Sequence, residues 1–260
     1  MMRGAVFCPS GLSSLTRGVL SATYFPSIHP TSLRCTNFAT GIKQSRPNYG
    51  ALLVDVGGTL LETTSPIAET YATFGVKYGV KVNAEDIKKG FKKAFAEPWP
   101  ERLRYEGDGK RFWKFAVATA TGCHDQDYFE ELYQHFAKGE AWTLAIGAHE
   151  ALSLLRDAGV KLAVVSNFDS RLRPLLEELH VTDLFDAIVV SSEIGYEKPA
   201  QQIFQAALDA LGASASQTVH VGDDPIADKI GAKALGIDAW LWKNDVKSFQ
   251  EVAARILPQH

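Results

Sequence analysis

Cysteine is scarce in this 260-residue chain: Cys8, Cys35 and Cys123 are the only three, and no two of them share a paired spacing. A disulfide framework or a cysteine-ligated zinc site needs clustered cysteines, so neither is expected. Long apolar runs are missing too. No stretch reaches the roughly 18 uncharged residues that a spanning helix needs, so no membrane segment is expected. Nor does one sign of charge dominate. There are 27 basic against 30 acidic residues, a net charge of −3, far from the polybasic balance that would bind nucleic acid. At 46% apolar and 22% charged, the composition is that of a globular protein with a sizeable core.

Acid is also missing locally. Residues 1–48 hold five basic residues (Arg3, Arg17, Arg34, Lys43, Arg46), seven serines, five threonines and no carboxylate before Asp55. With Pro9, Pro26, Pro30 and Pro47 scattered through it, this segment reads as an organellar transit peptide, the alternative being a disordered tail. Its hydroxyl richness favours a chloroplast over a mitochondrion, and no apolar block marks a secretory signal. The remaining chain holds 22 basic against 30 acidic residues, which again argues against a nucleic-acid partner.

From Gly50 onward short apolar runs alternate with helical stretches. Strands are expected at 51–54, 161–165, 187–190, 218–221 and 239–242, each a continuous run of the kind buried on both faces. Helices are expected at 149–158, 171–179, 201–211 and 226–235. Alternating β and α of this kind predicts an α/β fold with a doubly wound parallel sheet. One interval breaks the rhythm: about ninety residues after the first strand offer helical candidates only, at 67–78, 84–95, 110–119 and 127–138. That is too long for a crossover loop. The expected organisation is a core of residues 49–61 and 147–260 with an inserted all-α cap at 62–146. The cap's aromatics (Phe91, Phe95, Trp99, Phe112, Trp113, Phe115, Phe129, Tyr133, Phe136) read as a helix-bundle core, with a substrate pocket as the other reading.

In open parallel sheets ligands bind outside the carboxyl ends of the strands, so the polar residues there are the candidates. The first strand ends in Asp55-Val56-Gly57-Gly58-Thr59-Leu60 and the second in Ser166-Asn167. The third leads to Lys198-Pro199, and the fourth ends in Gly222-Asp223-Asp224 with Asp228 behind. Two acidic ends facing one crevice repel unless a cation offsets them, and hard carboxylate oxygens select Mg²⁺. Asp55 is also placed to attack phosphorus as a nucleophile. Lys198 would act as a point charge on the nucleophile and phosphoryl oxygens. Thr59, Ser166 and the amide groups at Asn167 would hydrogen-bond those oxygens. His220, inside a strand, reads as a packed histidine.

These four motifs, Asp55-x-x-Gly58-Thr59-Leu60, Ser166-Asn167, Lys198-Pro199 and Gly222-Asp223-x4-Asp228, resemble those of the haloacid dehalogenase-like hydrolase superfamily in order and placement. The resemblance covers about residues 50 to 242 and implies a Rossmann-like core with a helical cap of the first type. It also implies Mg²⁺ as cofactor and a small phosphorylated substrate. Asp55 would be nucleophile and metal ligand, with the Gly57 carbonyl and Asp223 as further ligands and Asp224 and Asp228 supporting. One departure stands out. Phosphatases of this superfamily usually carry a second Asp two residues after the nucleophile, as acid and base, and here that position is Gly57. The expected activity is therefore a Mg²⁺-dependent hydrolysis weakened for poor leaving groups, with Glu62 or Glu97 as replacement acids. The alternative is a catalytically silent relative that binds a phosphometabolite. Metal-free dehalogenation does not require Gly222-Asp223, and a phosphonatase would need a cap lysine such as Lys77, Lys81 or Lys110.

Overall fold

The computed structural model describes residues 46–100 and 103–258. Nearly all of the segment read as a transit peptide, residues 1–45, lies outside the described residues. The described strands are β1 (Ala51–Val54), β2 (Leu61–Thr63), β3 (Trp142–Leu144), β4 (Lys161–Ser166), β5 (Ala187–Val190), β6 (Thr218–Gly222) and β7 (Asp238–Leu241). Five of them form one parallel sheet in the order β5-β4-β1-β6-β7. This is the expected doubly wound arrangement, and its strand order reverses at β1.

Strands β1, β4 and β5 each feed two cores at once, which is why they read as apolar runs. Leu52 and Val54 of β1 join the apolar cluster on one face, while Leu53 joins the cluster on the other; Leu162 and Ala163 of β4 divide in the same way. Helices cover both faces. Four lie between β2 and β3: α1 (Ile67–Gly75), α2 (Ala84–Ala96), α3 (Lys110–Thr121) and α4 (Gln126–His135). Six follow: α5 (Ala148–Asp157), α6 (Leu172–Glu178), α7 (Ser191–Ile194), α8 (Gln201–Leu211), α9 (Gly231–Ala234) and α10 (Phe249–Ile256). Leu152 and Leu155 of α5 and Phe249 and Val252 of α10 pack on the first face. Ile203 and Phe204 of α8 and Ala232 of α9 pack on the second.

Helices α1 to α4 carry two apolar clusters of their own, one around Ile87, Val117 and Tyr128 and one around Phe112. Three features differ from the sequence expectation. The interval thought to hold helices only is bracketed by β2 and β3, which pair antiparallel with Leu61 opposite Leu144. Strands of three residues are too short to show a period. The helix expected at 226–235 opens instead as a π-helical turn over Pro225–Ile230 before α9. Helices α7 and α10 were not foreseen. Among the described residues no helix is long and apolar enough to cross a membrane.

Ala200 follows Lys198-Pro199. It is the N-cap of α8, with φ −59° and ψ 133° and no side-chain acceptor for the first-turn amides. An Asp there would accept such a bond, so Ala200→Asp is expected to stabilise the fold by about 1 kcal/mol. The check is a higher denaturant midpoint with an unchanged slope.

Candidate active site

The site starts from the two middle strands. β1 and β6 are parallel neighbours, and the Asp55 amide donates to the Val221 carbonyl at 2.9 Å, so Asp55 and Asp223 leave adjacent strand ends. The chain then turns back, with the Leu60 amide donating to the Asp55 carbonyl. Gly58 makes this turn at φ +77°, and a Cβ there would lie 2.5 Å from Asp223 Oδ2. Only a glycine allows the turn to come so close to that carboxylate. As a result, carboxylate oxygens of Asp55, Asp223 and Asp228 lie within 4.8 Å of one another.

Lys198 holds this cluster together. Its Nζ donates to Asp55 Oδ1 and to Asp228 Oδ1, both at 2.6 Å, and all three side chains are buried. Burial pushes the Asp55 carboxyl up; the Lys198 charge offsets part of this, and repulsion from Asp228 and Asp223 adds to it, leaving Asp55 at about 6. Burial lowers Lys198, but the two carboxylates more than compensate, and it is pushed up to about 12. For Asp228 burial acts upward, yet Lys198 and then His220 outweigh it and hold the group well below the usual carboxylate range. Partial desolvation in the crevice, followed by the Asp228 charge, raises Asp223.

Asp228 is committed. Its Oδ1 also meets His220 Nε2 at 2.8 Å, and its Oδ2 accepts from the Asp224 amide at 3.0 Å. It therefore positions Lys198, while Asp55 and Asp223 are the carboxylates better placed for a cation. The donor chemistry fits Mg²⁺, which takes one or two carboxylates and keeps several waters. The upward shifts of Asp55 and Asp223, caused first by burial and then by neighbouring carboxylates, mark a cost of ionisation that such an ion would offset.

The phosphoryl-binding candidates divide. Thr59 is fully buried in the turn that Asp55 opens, and its Oγ1 has no hydrogen-bond partner. A buried hydroxyl left unpaired costs about 1–3 kcal/mol, which an arriving oxygen would remove. Ser166 is buried at the end of β4. The Asn167 side chain is engaged elsewhere: its Oδ1 accepts from the Lys198 amide at 2.7 Å and its Nδ2 donates to the Lys198 carbonyl at 3.0 Å. It fixes the lysine's backbone, which leaves the main-chain amide of Asn167 as the candidate donor. Asp224 caps the π-helical turn, its Oδ1 accepting from the Ile226 and Ala227 amides at 2.7 Å. Gly57 is exposed, and a Cβ there would meet nothing within 4 Å.

Four of the acids and lysines considered as substitutes have partners elsewhere. Glu62 pairs with Lys243 at 2.7 Å, and Glu97 lies 3.9 Å from Lys93. Lys77 and Lys110 pair with Glu131 and Glu130. Two residues were missed as parts of the site. His220 packs edge-on to Phe204, as expected, but it also bonds Asp228. Its place two residues before Gly222-Asp223 was the available signal. Glu197, whose Oε1 accepts from the Arg104 and Tyr105 amides, ties the loop before α3 to the residue preceding Lys198. No sequence pattern announces that contact.

Comparison with known proteins agrees with this geometry. A family model described as haloacid dehalogenase-like hydrolase matches residues 49–236. Haloacid dehalogenase-like hydrolase domain-containing protein 3 of Xenopus laevis is 33% identical over 198 residues, covering 72% of this chain and 81% of that protein. Over a shorter stretch of 104 residues, ribulose-1,5-bisphosphate 5-phosphatase of Halopiger xanaduensis is 38% identical, covering 40% of this chain and 44% of that protein. Among solved structures, the magnesium-bound HAD-hydrolase YfnB of Bacillus subtilis superposes with a TM-score of 0.64 at 21% identity, covering 80% of this chain and 97% of that one. At that identity the likeness shows the fold.

Proposed function

We propose, from the premise that the chain belongs to the haloacid dehalogenase-like hydrolase family, that it is a Mg²⁺-dependent phosphatase of a small phosphorylated metabolite. The observation that carries this reading is the buried Asp55–Lys198–Asp228 bridge beside Asp223. Lys198 binds Oδ1 of Asp55 and leaves Oδ2 to attack phosphorus. The attack forms an O–P bond to Asp55 and breaks the ester P–O bond, and the leaving oxygen takes a proton. Water then attacks the aspartyl-phosphate, releasing phosphate and restoring the carboxylate. Thr59, Ser166 and the Asn167 main chain orient the phosphoryl group, and helices α1 to α4 act as a cap that shields it from water. A Mg²⁺ ion held by Asp55, the Gly57 carbonyl and Asp223 would supply positive charge for the phosphoryl oxygens.

With Gly57 in place of an acid, the leaving oxygen must find its proton in solvent or on the substrate, so good leaving groups are favoured. The same glycine supports a second reading, a silent relative that binds a phosphometabolite. The acid-free stretch 1–48 supports the further reading that the protein works in an organelle, a chloroplast in preference to a mitochondrion. The test is a panel of phosphate esters with and without Mg²⁺, acid-quenched and digested. The expected result is Mg²⁺-dependent phosphate release with a labile phosphoryl group on the peptide containing Asp55. A folded, Mg²⁺-binding protein that turns over nothing would establish the silent reading instead.

A further inference from the structure

A cavity of about 520 Å³ that the mechanism above does not use has Phe168, the residue after Asn167, in its wall. Its walls follow directly from two of the strand-end motifs. Thr63 and Pro66 come just after the turn opened by Asp55, and Phe168 and Arg171 come just after Ser166-Asn167. The remaining wall is contributed by α1 to α4 and by Trp142 of β3. The cap aromatics are thereby divided. Phe112 is fully buried in a bundle core, whereas Phe91, Phe95, Phe129 and Phe136 line the cavity. Packed interiors leave few voids larger than a water molecule, and this volume is in the range of dedicated ligand sites.

The wall is mostly carbon and ring, and its guanidinium, indole and Tyr133 hydroxyl groups are already bonded within the protein. Arg171 donates through Nε and Nη2 to Asp169 at 2.8 and 2.6 Å and through Nη1 to the Tyr133 carbonyl at 3.0 Å, while its guanidinium stacks 3.7 Å from the Tyr133 ring centroid. Trp113 Nε1 donates to Asp169 at 2.9 Å and Trp142 Nε1 to the Phe136 carbonyl at 3.1 Å. Lys88, the other charged residue of the wall, is exposed. A ligand entering here meets carbon and ring faces. Ile67 and Phe95, 45% and 38% exposed, leave apolar surface open to solvent for it to cover.

We propose that this cavity receives the alcohol portion of the substrate, and that the substrates are phosphate monoesters of bulky, uncharged, hydrophobic alcohols. The inference rests on the reading of Asp55 as the phosphoryl site. A sugar phosphate would place several hydroxyls against a wall that is mostly carbon, with its indole and guanidinium donors engaged and only a few polar groups, such as the Thr63 and Tyr71 hydroxyls, to meet them, and is disfavoured.

The experiment measures binding of n-alkylphosphonates, from methyl to octyl, to the full chain with Mg²⁺ by calorimetry. Burial of each methylene is expected to tighten Kd about fourfold until the cavity is filled. Ala68 lines the cavity on α1, and Ala68→Trp should collapse the octyl-to-methyl ratio toward one. Methylphosphonate binding with no gain from the longer chains overturns this inference and leaves the Asp55 reading in place. A gain that survives in a folded Ala68→Trp puts the tail elsewhere and also overturns it. Failure of methylphosphonate and inorganic phosphate alike removes the Asp55 reading, and the inference with it.

Discussion

Gly57→Asp is expected to raise the hydrolysis of alkyl phosphates by about 10²- to 10⁴-fold, the usual contribution of a positioned general acid. That is about 3 to 5 kcal/mol of barrier at about 1.4 kcal/mol per decade. The backbone admits the change. Gly57 is outside the left-handed region that Gly58 occupies, and a Cβ built on it meets nothing within 4 Å, whereas one on Gly58 would strike Asp223. The environment also suits an acid. A new carboxyl two residues from Asp55 and near Asp223 would feel like charges, and repulsion raises its pKa and keeps a proton on it near neutrality. The gain should depend on the leaving group. Aryl esters whose phenolate departs without a proton should change little, and alkyl esters should change most. The measurement is kcat/KM across leaving groups of graded pKa, with Mg²⁺ affinity measured in parallel. A slope unchanged from the parent, with metal binding intact, would mean that the proton already comes from another group.

The sequence made the phosphoryl site legible because it lies where parallel sheets expose their chemistry. Buried on both faces, β1, β4 and β6 read as short, mostly apolar runs, so Asp55, Ser166 and Asp223 stood out as the polar residues at their ends. Contacts between distant side chains were not legible. Asn167 looked like a phosphoryl ligand from its place in the chain, yet its side chain is fixed by Lys198, 31 residues away. Glu197 holds the main chain 92 and 93 residues earlier. Helix α10 is a different kind of omission. Ser248 accepts from the Glu251 amide, and Glu251 Oε2 accepts from the Lys247 amide, a Ser-x-x-Glu start that local reading could have found. The cap aromatics show the limit of composition. Periodicity places them on inward faces but does not say whether two inward faces meet or stand apart around a cavity.

Lys198→Met is expected to destabilise the protein by about 3–5 kcal/mol in the presence of a chelator, because it leaves Asp55 and Asp228 buried without their shared cation. The loss should depend on pH, and its direction follows from the two carboxylates. In the parent, Asp228 is held below its ordinary pKa, so its contribution is present above about pH 4 and fades as pH falls toward its folded value. Asp55, raised to about 6, works the other way: its contribution is present below about pH 4 and is lost as pH rises through 6. Without Lys198 both carboxyls bind protons more tightly in the folded state, so the variant should already lie behind the parent at pH 5, where the Asp228 contribution is missing, and fall further behind it at pH 8. Denaturant unfolding at the two pH values measures this. Neutralising one of the stranded carboxylates should recover part of the loss, so Lys198→Met combined with Asp55→Asn is expected to be more stable at pH 8 than Lys198→Met alone. Such non-additivity is the mark of side chains that share one charge balance. Equal destabilisation at both pH values, with no recovery in the double variant, would show that Lys198 contributes through packing, and that the charge cluster at the ends of β1 and β6 does not depend on it.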